Sequence, residues 1–187
     1  MAFLFMKENN DIALLKLFRD ENSRNYAFNL IVKQHQERVY WHIRRMVINH
    51  DDADDITQNT FIKAWKGLEN FKEDAQLFTW LYRIATNEYL TFLNKKKRIL
   101  FLPLHDVEKE LSSQLESDSY YSGDEIQLKL QKAILSLPEK QRLVFNMKYY
   151  DELKYEEISE ILSTSVGALK ASYHHAVKKI ETFLKED

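Results

Sequence analysis

Four aspartates within five residues, Asp51, Asp52, Asp54 and Asp55, are the most concentrated set of chemically capable side chains in the sequence. On a helix, Asp51 shares a face with both Asp54 and Asp55. Carboxylates so placed chelate magnesium in aspartate-rich enzymes that act on diphosphates. They equally complement the positive end of a helix dipole or form an acidic surface that docks a protein. An all-helical diphosphate enzyme needs a large central cavity, and this chain divides into two small halves. Dipole complementarity or docking is therefore expected, with no metal and no cofactor.

The opposite charge follows in Lys95-Lys96-Lys97-Arg98. Taken alone, this run is the solvated end of a helix. Beside the amides of Asn87 and Asn94 it becomes a candidate phosphate track. Upstream, Phe71 and Phe78 flank the polar loop Lys72 to Leu77, which includes Gln76. The loop either holds an unstacked base or is bracketed by two core plugs. A third group lies near the C-terminus, where Lys170, Ala171, His174, His175 and Lys178 share one helical face behind a capping Ser165. The preceding short helix is acidic, with Glu156, Glu157 and Glu160. A short helix, a tight break and a longer basic helix have the proportions of a helix-turn-helix, although a plain helical hairpin fits the same pattern. His35 and His42 have no evident partner in the sequence.

These groups must be positioned by helices. The chain has 187 residues, of which 44% are hydrophobic and 30% charged, enough apolar material for real cores. Only 3 glycines and 2 prolines are present, too few for strands joined by tight turns. The absence of cysteine removes disulfides and thiol chemistry and fits a reducing cytoplasm. Met1 to Met6 lacks the basic flank of a signal peptide, and no apolar run reaches the length of a membrane span. A formal net charge of -2 does not suit a free-standing nucleic-acid binder.

Apolar spacing predicts helices over Asp11 to Phe18, from Asn25 through Val47, over Asp52 to Lys66 with Gly67 as its stop, and over Phe78 to Lys97. The last of these has an apolar side (Phe78, Leu81, Tyr82, Ala85, Tyr89, Phe92, Leu93) and a polar side (Trp80, Arg83, Asn87, Thr91, Asn94). Residues 99–124 turn acidic and serine-rich, the mark of a flexible linker. Helices resume over Glu125 to Leu135, after Pro138 placed at a first helical position, over Tyr155 to Leu162, and over Val166 to Leu184. The expected fold is all-α, with two small helical domains, 1–98 and 125–187, joined by the acidic linker.

Three stretches resemble a known family. Asp52-Ala53-Asp54-Asp55-Ile56-Thr57-Gln58-Asn59-Thr60-Phe61-Ile62-Lys63-Ala64-Trp65 looks like region 2.2 of bacterial RNA polymerase sigma factors of the extracytoplasmic-function branch. Phe78 to Asn87 with the basic run is similar to regions 2.3 and 2.4. Leu137 to Arg142 and Tyr155 to Ile180 resemble region 4. The resemblance implies a promoter-recognition subunit, not an enzyme, working in the cytoplasm. Asp52, Asp54, Asp55, Gln58 and Trp65 would meet the clamp of the polymerase β′ subunit. Lys72, Gln76, Trp80, Arg83, Asn87, Asn94, Lys95, Lys96, Lys97 and Arg98 would read and open the downstream (−10) promoter element. Ser165, Lys170, Ser172, His174, His175 and Lys178 would face the upstream (−35) element, with the β flap also touching this domain. Members of the branch are commonly restrained by an anti-sigma partner, so one is expected here.

The recognition helix departs from many relatives. Ala171, Ser172, Tyr173, His174 and His175 stand where several arginines are usual, and arginine is the best bidentate reader of guanine. Two other readings compete: a helix-turn-helix regulator that binds DNA without polymerase, and the magnesium-dependent enzyme.

Overall fold

The computed structural model describes residues 2–72, 75–100, 111, 113–116 and 124–186; the side chains of 2–10 and 97–100 lie outside the described set. Eight helices are used below: α1 (Ala2–Arg19), α2 (Arg24–Val47), α3 (His50–Gly67), α4 (Leu77–Leu100), α5 (Glu125–Leu135), α6 (Glu139–Tyr149), α7 (Tyr155–Leu162) and α8 (Val166–Lys185). Among the described residues all regular structure is helical, in two helical domains. The linker residues 101–110, 112 and 117–123 lie outside the described residues.

Helix α1 begins well before Asp11, because Lys7-Glu8-Asn9-Asn10 contains no helix breaker even though it carries no apolar stripe. Helix α2 ends at a strained corner. Ile48, fully buried, has φ 64° and ψ −38°, a region that a β-branched residue avoids. Its N–H donates to the Arg44 carbonyl at 2.9 Å, and the surrounding core fixes the kink that sends the chain into α3. Asn49 then caps α3, its side chain accepting from the Asp52 N–H at 2.9 Å.

Gly67 does not end α3 by the expected route. Its φ is −92°, so no left-handed stop is formed, and Leu68 takes the capping position. The glycine is needed for space: a Cβ there would lie 3.1 Å from Cζ2 of Trp80. Likewise Pro138 precedes α6 as its cap (ψ 142°) and is not its first helical residue. Its carbonyl still accepts the first helical bond, from the Arg142 N–H. Helices α5 and α7 fall where their spacing placed them, and Ser163 closes α7 in the left-handed region at φ 51°.

One apolar cluster runs through both domains. It joins Phe18, Ile31, Ile43, Met46, Leu81 and Tyr89 to Leu143, Met147, Ile158 and Leu169, and takes in Leu111 and Leu115 from the linker. A second, smaller cluster of Ile134, Leu137, Phe145, Ala176 and Ile180 sits within the C-terminal domain. The apolar side of α4 is buried as expected, except for the partly covered Phe92. Both buried histidines have partners that the sequence did not reveal. His35 Nε2 lies 3.4 Å from Asp11, and His42 Nδ1 lies 3.0 Å from Asp151, which is distant in the chain. No described helix is long and apolar enough to cross a membrane.

Candidate functional site

The α2–α3 pair carries an open groove of about 800 Å³, lined by Asn25, Phe28, Asn29, Val32 and Gln36 from α2 and by Thr57, Gln58, Phe61, Ile62 and Trp65 from α3. An aromatic frame holds its shape. Trp65 meets Phe18 edge-on at 5.3 Å and Phe28 at 5.0 Å, and Phe28 reaches Phe61 at 6.5 Å. Edge-to-face contacts of this kind fix ring positions beyond what area burial alone does. Two of the expected polymerase-contacting residues, Gln58 and Trp65, therefore line one groove. Asp52, Asp54 and Asp55 stand at the N-terminal end of the same helix, outside that lining. Asp54 is 3.4 Å from His50, and Asp52 is 3.8 Å from Lys96.

The α2 wall of the groove was missed in the sequence, and so was Ile62. That isoleucine is 52% exposed and falls off the apolar stripe of α3 (Ile56, Phe61, Ala64, Trp65, Leu68). An isoleucine out of phase with its own helix was the available signal.

On α4 the polar side is more varied than its pattern implied. Asn87, Asn94 and Lys95 are exposed, and Lys96 is partly covered, its Nζ 5.8 Å from the centre of the Phe92 ring. Trp80 is half-buried on Phe71 at 5.1 Å, which makes it a packing residue as much as a surface one. Arg83 Nη2 donates to the Glu160 carbonyl of α7 at 2.6 Å. The flanking aromatics of the loop are core plugs: Phe71 and Phe78 are both buried, and Phe78 lies 4.3 Å from Tyr82 beneath the Arg38 guanidinium. Lys72 and Gln76 stay exposed on that loop. The side chains of Lys97 and Arg98 lie outside the described residues. Lys63 and Glu88 form an ion pair that ties α3 to α4.

In the C-terminal domain, Ser165 caps α8 by accepting from the Ala168 N–H at 3.4 Å. Lys170, His174, His175 and Lys178 are exposed and Ser172 is half-covered, so the expected reading face is presented as one surface. Among the described residues, nothing lies within 4 Å of where a Cβ on Gly167 would stand. Behind this face, Tyr149, Phe145 and Tyr173 stack nearly parallel at 5.2 and 5.8 Å. Burial in that stack raises the Tyr173 phenol above its ordinary value. Tyr155 takes the cations of Lys148 at 5.1 Å and Lys170 at 5.7 Å.

This arrangement has known counterparts. Residues 31–99 match Sigma-70 region 2, and residues 127–180 match Sigma-70 region 4. The chain is 34% identical over 168 residues to the ECF RNA polymerase sigma factor SigW of Bacillus subtilis, a match covering 86% of this chain and 90% of that protein. It is 31% identical to the RNA polymerase sigma-H factor of Pseudomonas aeruginosa, over 85% of this chain and 86% of that one. It is 32% identical to the ECF RNA polymerase sigma-E factor of Escherichia coli K12, over 83% and 85%. In fold it resembles CnrH, solved in complex with the cytosolic domain of CnrY, with a TM-score of 0.70 at 23% identity, covering 95% of this chain and 99% of that chain. Two matched regions in the proper order, carried by relatives aligned over most of their length, place the chain in the extracytoplasmic-function family of RNA polymerase sigma factors.

Proposed function

We propose that this sigma factor directs core RNA polymerase to promoters through three surfaces, each on a separate element. The first is the α2–α3 groove together with the acidic start of α3. Asp52, Asp54, Asp55, Gln58 and Trp65 there dock the clamp of the β′ subunit. The second is the polar side of α4 with its preceding loop. Lys72, Gln76, Trp80, Arg83, Asn87, Asn94 and the run Lys95 to Arg98 engage and open the −10 element. The third is the exposed face of α8. Ser165, Lys170, Ser172, His174, His175 and Lys178 contact the −35 element, and the same domain meets the β flap. In this reading residues 1–98 and 125–187 are the two working domains, with 99–124 as spacer, in a protein that acts in the cytoplasm.

The observation that carries the proposal is the separation of surfaces. Gln58 and Trp65 line a groove with an aromatic frame, while the basic face of α8 is exposed on the other domain. Two weak DNA contacts joined in one body gain affinity when polymerase holds both at once, so a chain of net charge -2 needs no strong DNA affinity of its own. A relative in fold, RpoE of Bartonella quintana, was solved with the anti-sigma factor NepR. We extend to this chain a partner of that kind, which withholds it from polymerase.

The test is reconstituted transcription. Core polymerase with this chain should give discrete run-off products from genomic templates, and none without it. Replacing Lys95 and Lys96 together by Ala should lower open-complex formation and reduce its salt slope by about 2, one for each phosphate that no longer meets a lysine. An unaltered slope removes these lysines from the DNA track.

A further inference from the structure

The seam between the two domains is made by α6, α7 and the turn that joins them. Arg45 donates to Asp151 in that turn, Arg142 of α6 to the Tyr89 hydroxyl, and Arg83 to the Glu160 carbonyl of α7. None of these contacts involves α8.

On the exposed face of α8 the polar groups are unequally available. The Ser165 hydroxyl is taken by the Ala168 N–H at 3.4 Å, the Lys170 ammonium lies 5.7 Å from the centre of the Tyr155 ring, and Ser172 is half-covered. Gly167, Ala168 and Ala171 offer no polar side chain. His174 and His175 are both exposed, with ring centres 5.9 Å apart and planes inclined at 61°. Among the described residues, neither imidazole has an ion pair or hydrogen bond. The chemistry at the middle of this face therefore falls to two adjacent imidazoles, each able to meet an oxygen of its own.

Their place on the helix selects phosphate over bases. The first residues of a recognition helix meet base edges. His174 stands eight residues beyond Val166, where α8 begins, and so about 12 Å along the axis toward the flanking backbone. A neutral imidazole offers one donor and one acceptor, whereas the imidazolium offers two donors and a charge. A phosphate therefore favours the protonated ring, and imidazole ordinarily exchanges that proton between about pH 5 and 8.

The charged surroundings leave this exchange to the DNA. On α8 itself the neighbours are Lys170, Lys178 and Lys179, with Glu181 two turns beyond His174. From α6 and α7 come Lys148, Tyr149 and Tyr155, gathered on the aromatic stack behind the face. The carboxylates of α7 are directed elsewhere: Glu156, Glu157 and Glu160 line a cavity of about 410 Å³ with Gln76 and Thr79. On α5, Lys129 donates to the Leu184 carbonyl at 3.2 Å and Lys132 pairs with Glu116 at 2.6 Å. No carboxylate of the described residues pairs with either ring, so the anion that calls for the proton is the phosphate.

We propose that His174 and His175 contact backbone phosphates of the −35 element in their protonated form, so that upstream promoter binding takes up protons and strengthens as pH falls. The inference rests on the assignment of α8 to the −35 element and adds to it a dependence that arginines in the same places would not give.

The test uses holoenzyme assembled from core polymerase and the full chain. It is titrated against a promoter mapped by the transcription assay above, and against the same fragment with its upstream element scrambled. The ratio of the two affinities isolates the α8 contribution, because core polymerase and the −10 contacts are common to both. At constant ionic strength this ratio should fall about tenfold from pH 6 to pH 8. Its salt slope should be steeper at pH 6 by about 2, one for each added cation. The pair His174→Gln and His175→Gln should hold the ratio near the parent's pH 8 value at both pH values. The pair His174→Lys and His175→Lys should hold it near the pH 6 value at both. These substitutions alter exposed side chains, so helical circular dichroism should match the parent. A preference for the intact upstream element that does not change with pH, or a pH dependence that survives the glutamine pair, overturns the proton link and keeps the α8 assignment. If scrambling costs nothing at either pH, the α8 assignment falls and the proposal with it.

Discussion

The two halves of α2 meet opposite surroundings. Its N-terminal half, with Asn25, Phe28, Asn29, Val32 and Gln36, forms one wall of a groove left open. Its C-terminal half, with His42, Arg45 and Met46, is covered by the other domain, and each of these side chains has a named partner there. The difference lies in the chemistry of the side chains. The covered half offers Arg45 and His42, polar groups that need partners once they are taken from water, and the Asp151 carboxylate meets both. The open half offers amides and apolar edges on a rigid aromatic frame, which tolerate water and still bury well against a partner. One helix therefore separates an internal contact from a surface kept for another molecule.

The sharpest way to break this comparison is to put a charge in the open groove. Ile62→Glu replaces a side chain that is 52% exposed, so helix content and stability should hardly change. Polymerase binding should weaken by at least about thirtyfold, the scale of a central interface residue, as read by fluorescence anisotropy of labelled protein titrated with core enzyme. Unchanged affinity would mean that the groove is an incidental hollow and that α2 has no partner-facing half.

The contact between the two domains is tested by a smaller change in stability. Arg142→Ala removes a buried guanidinium that donates to the Tyr89 hydroxyl and the Leu135 carbonyl, with an expected loss of about 3 kcal/mol. The three tryptophans, Trp41, Trp65 and Trp80, all lie in the front half, so their fluorescence reports that domain while circular dichroism reports all helices. In the parent chain the two urea transitions should coincide, because one apolar cluster spans the seam. In the variant they should separate. If the transitions stay superimposed at the parent's midpoint, the seam does not couple the domains.

Local rules carry their information in a few neighbouring residues, and those parts of the molecule were readable. Ser165 caps α8 as expected, the polar break before α3 supplies its cap through Asn49, and α5 and α7 follow their apolar spacing. The exposed face of α8 was legible for the same reason, since a face is fixed by periodicity alone. What stayed hidden depends on partners distant in the chain. His42 and Asp151 are far apart in sequence, and neither carries a mark of the other. Gly67 read as a helix stop, whereas its role is to admit Trp80, a contact between two helices. Arg83 read as a DNA contact and is engaged by Glu160 of the second domain. Leu111 and Leu115 lie in an acidic stretch with the composition of a linker, yet they are buried with the core.

The smallest expected effect is a dependence on pH, and it too distinguishes the covered half of α2 from the open one. Tyr82 lies under the seam, its hydroxyl donating to the Arg38 carbonyl at 3.2 Å. Burial holds this phenol well above the ordinary tyrosine range. The nearby Asp151 charge pushes it further, and Arg38 and Arg45 oppose the rise only in part. In the unfolded chain a tyrosine ionises near pH 10, so the unfolded state releases its proton first. The stabilisation is therefore complete below about pH 10 and is lost as pH climbs toward the folded value, at about 1.4 kcal/mol per unit. Tyr82→Phe has no proton to lose. At pH 8 it should be less stable than the parent by about 1 kcal/mol, for the missing hydrogen bond. At pH 11 the parent has surrendered about as much, and the two urea midpoints should nearly meet. A gap of equal size at both pH values would show that this phenol is not held neutral by the seam. The open groove contains no tyrosine, so Ile62→Glu should show no such convergence between pH 8 and pH 11.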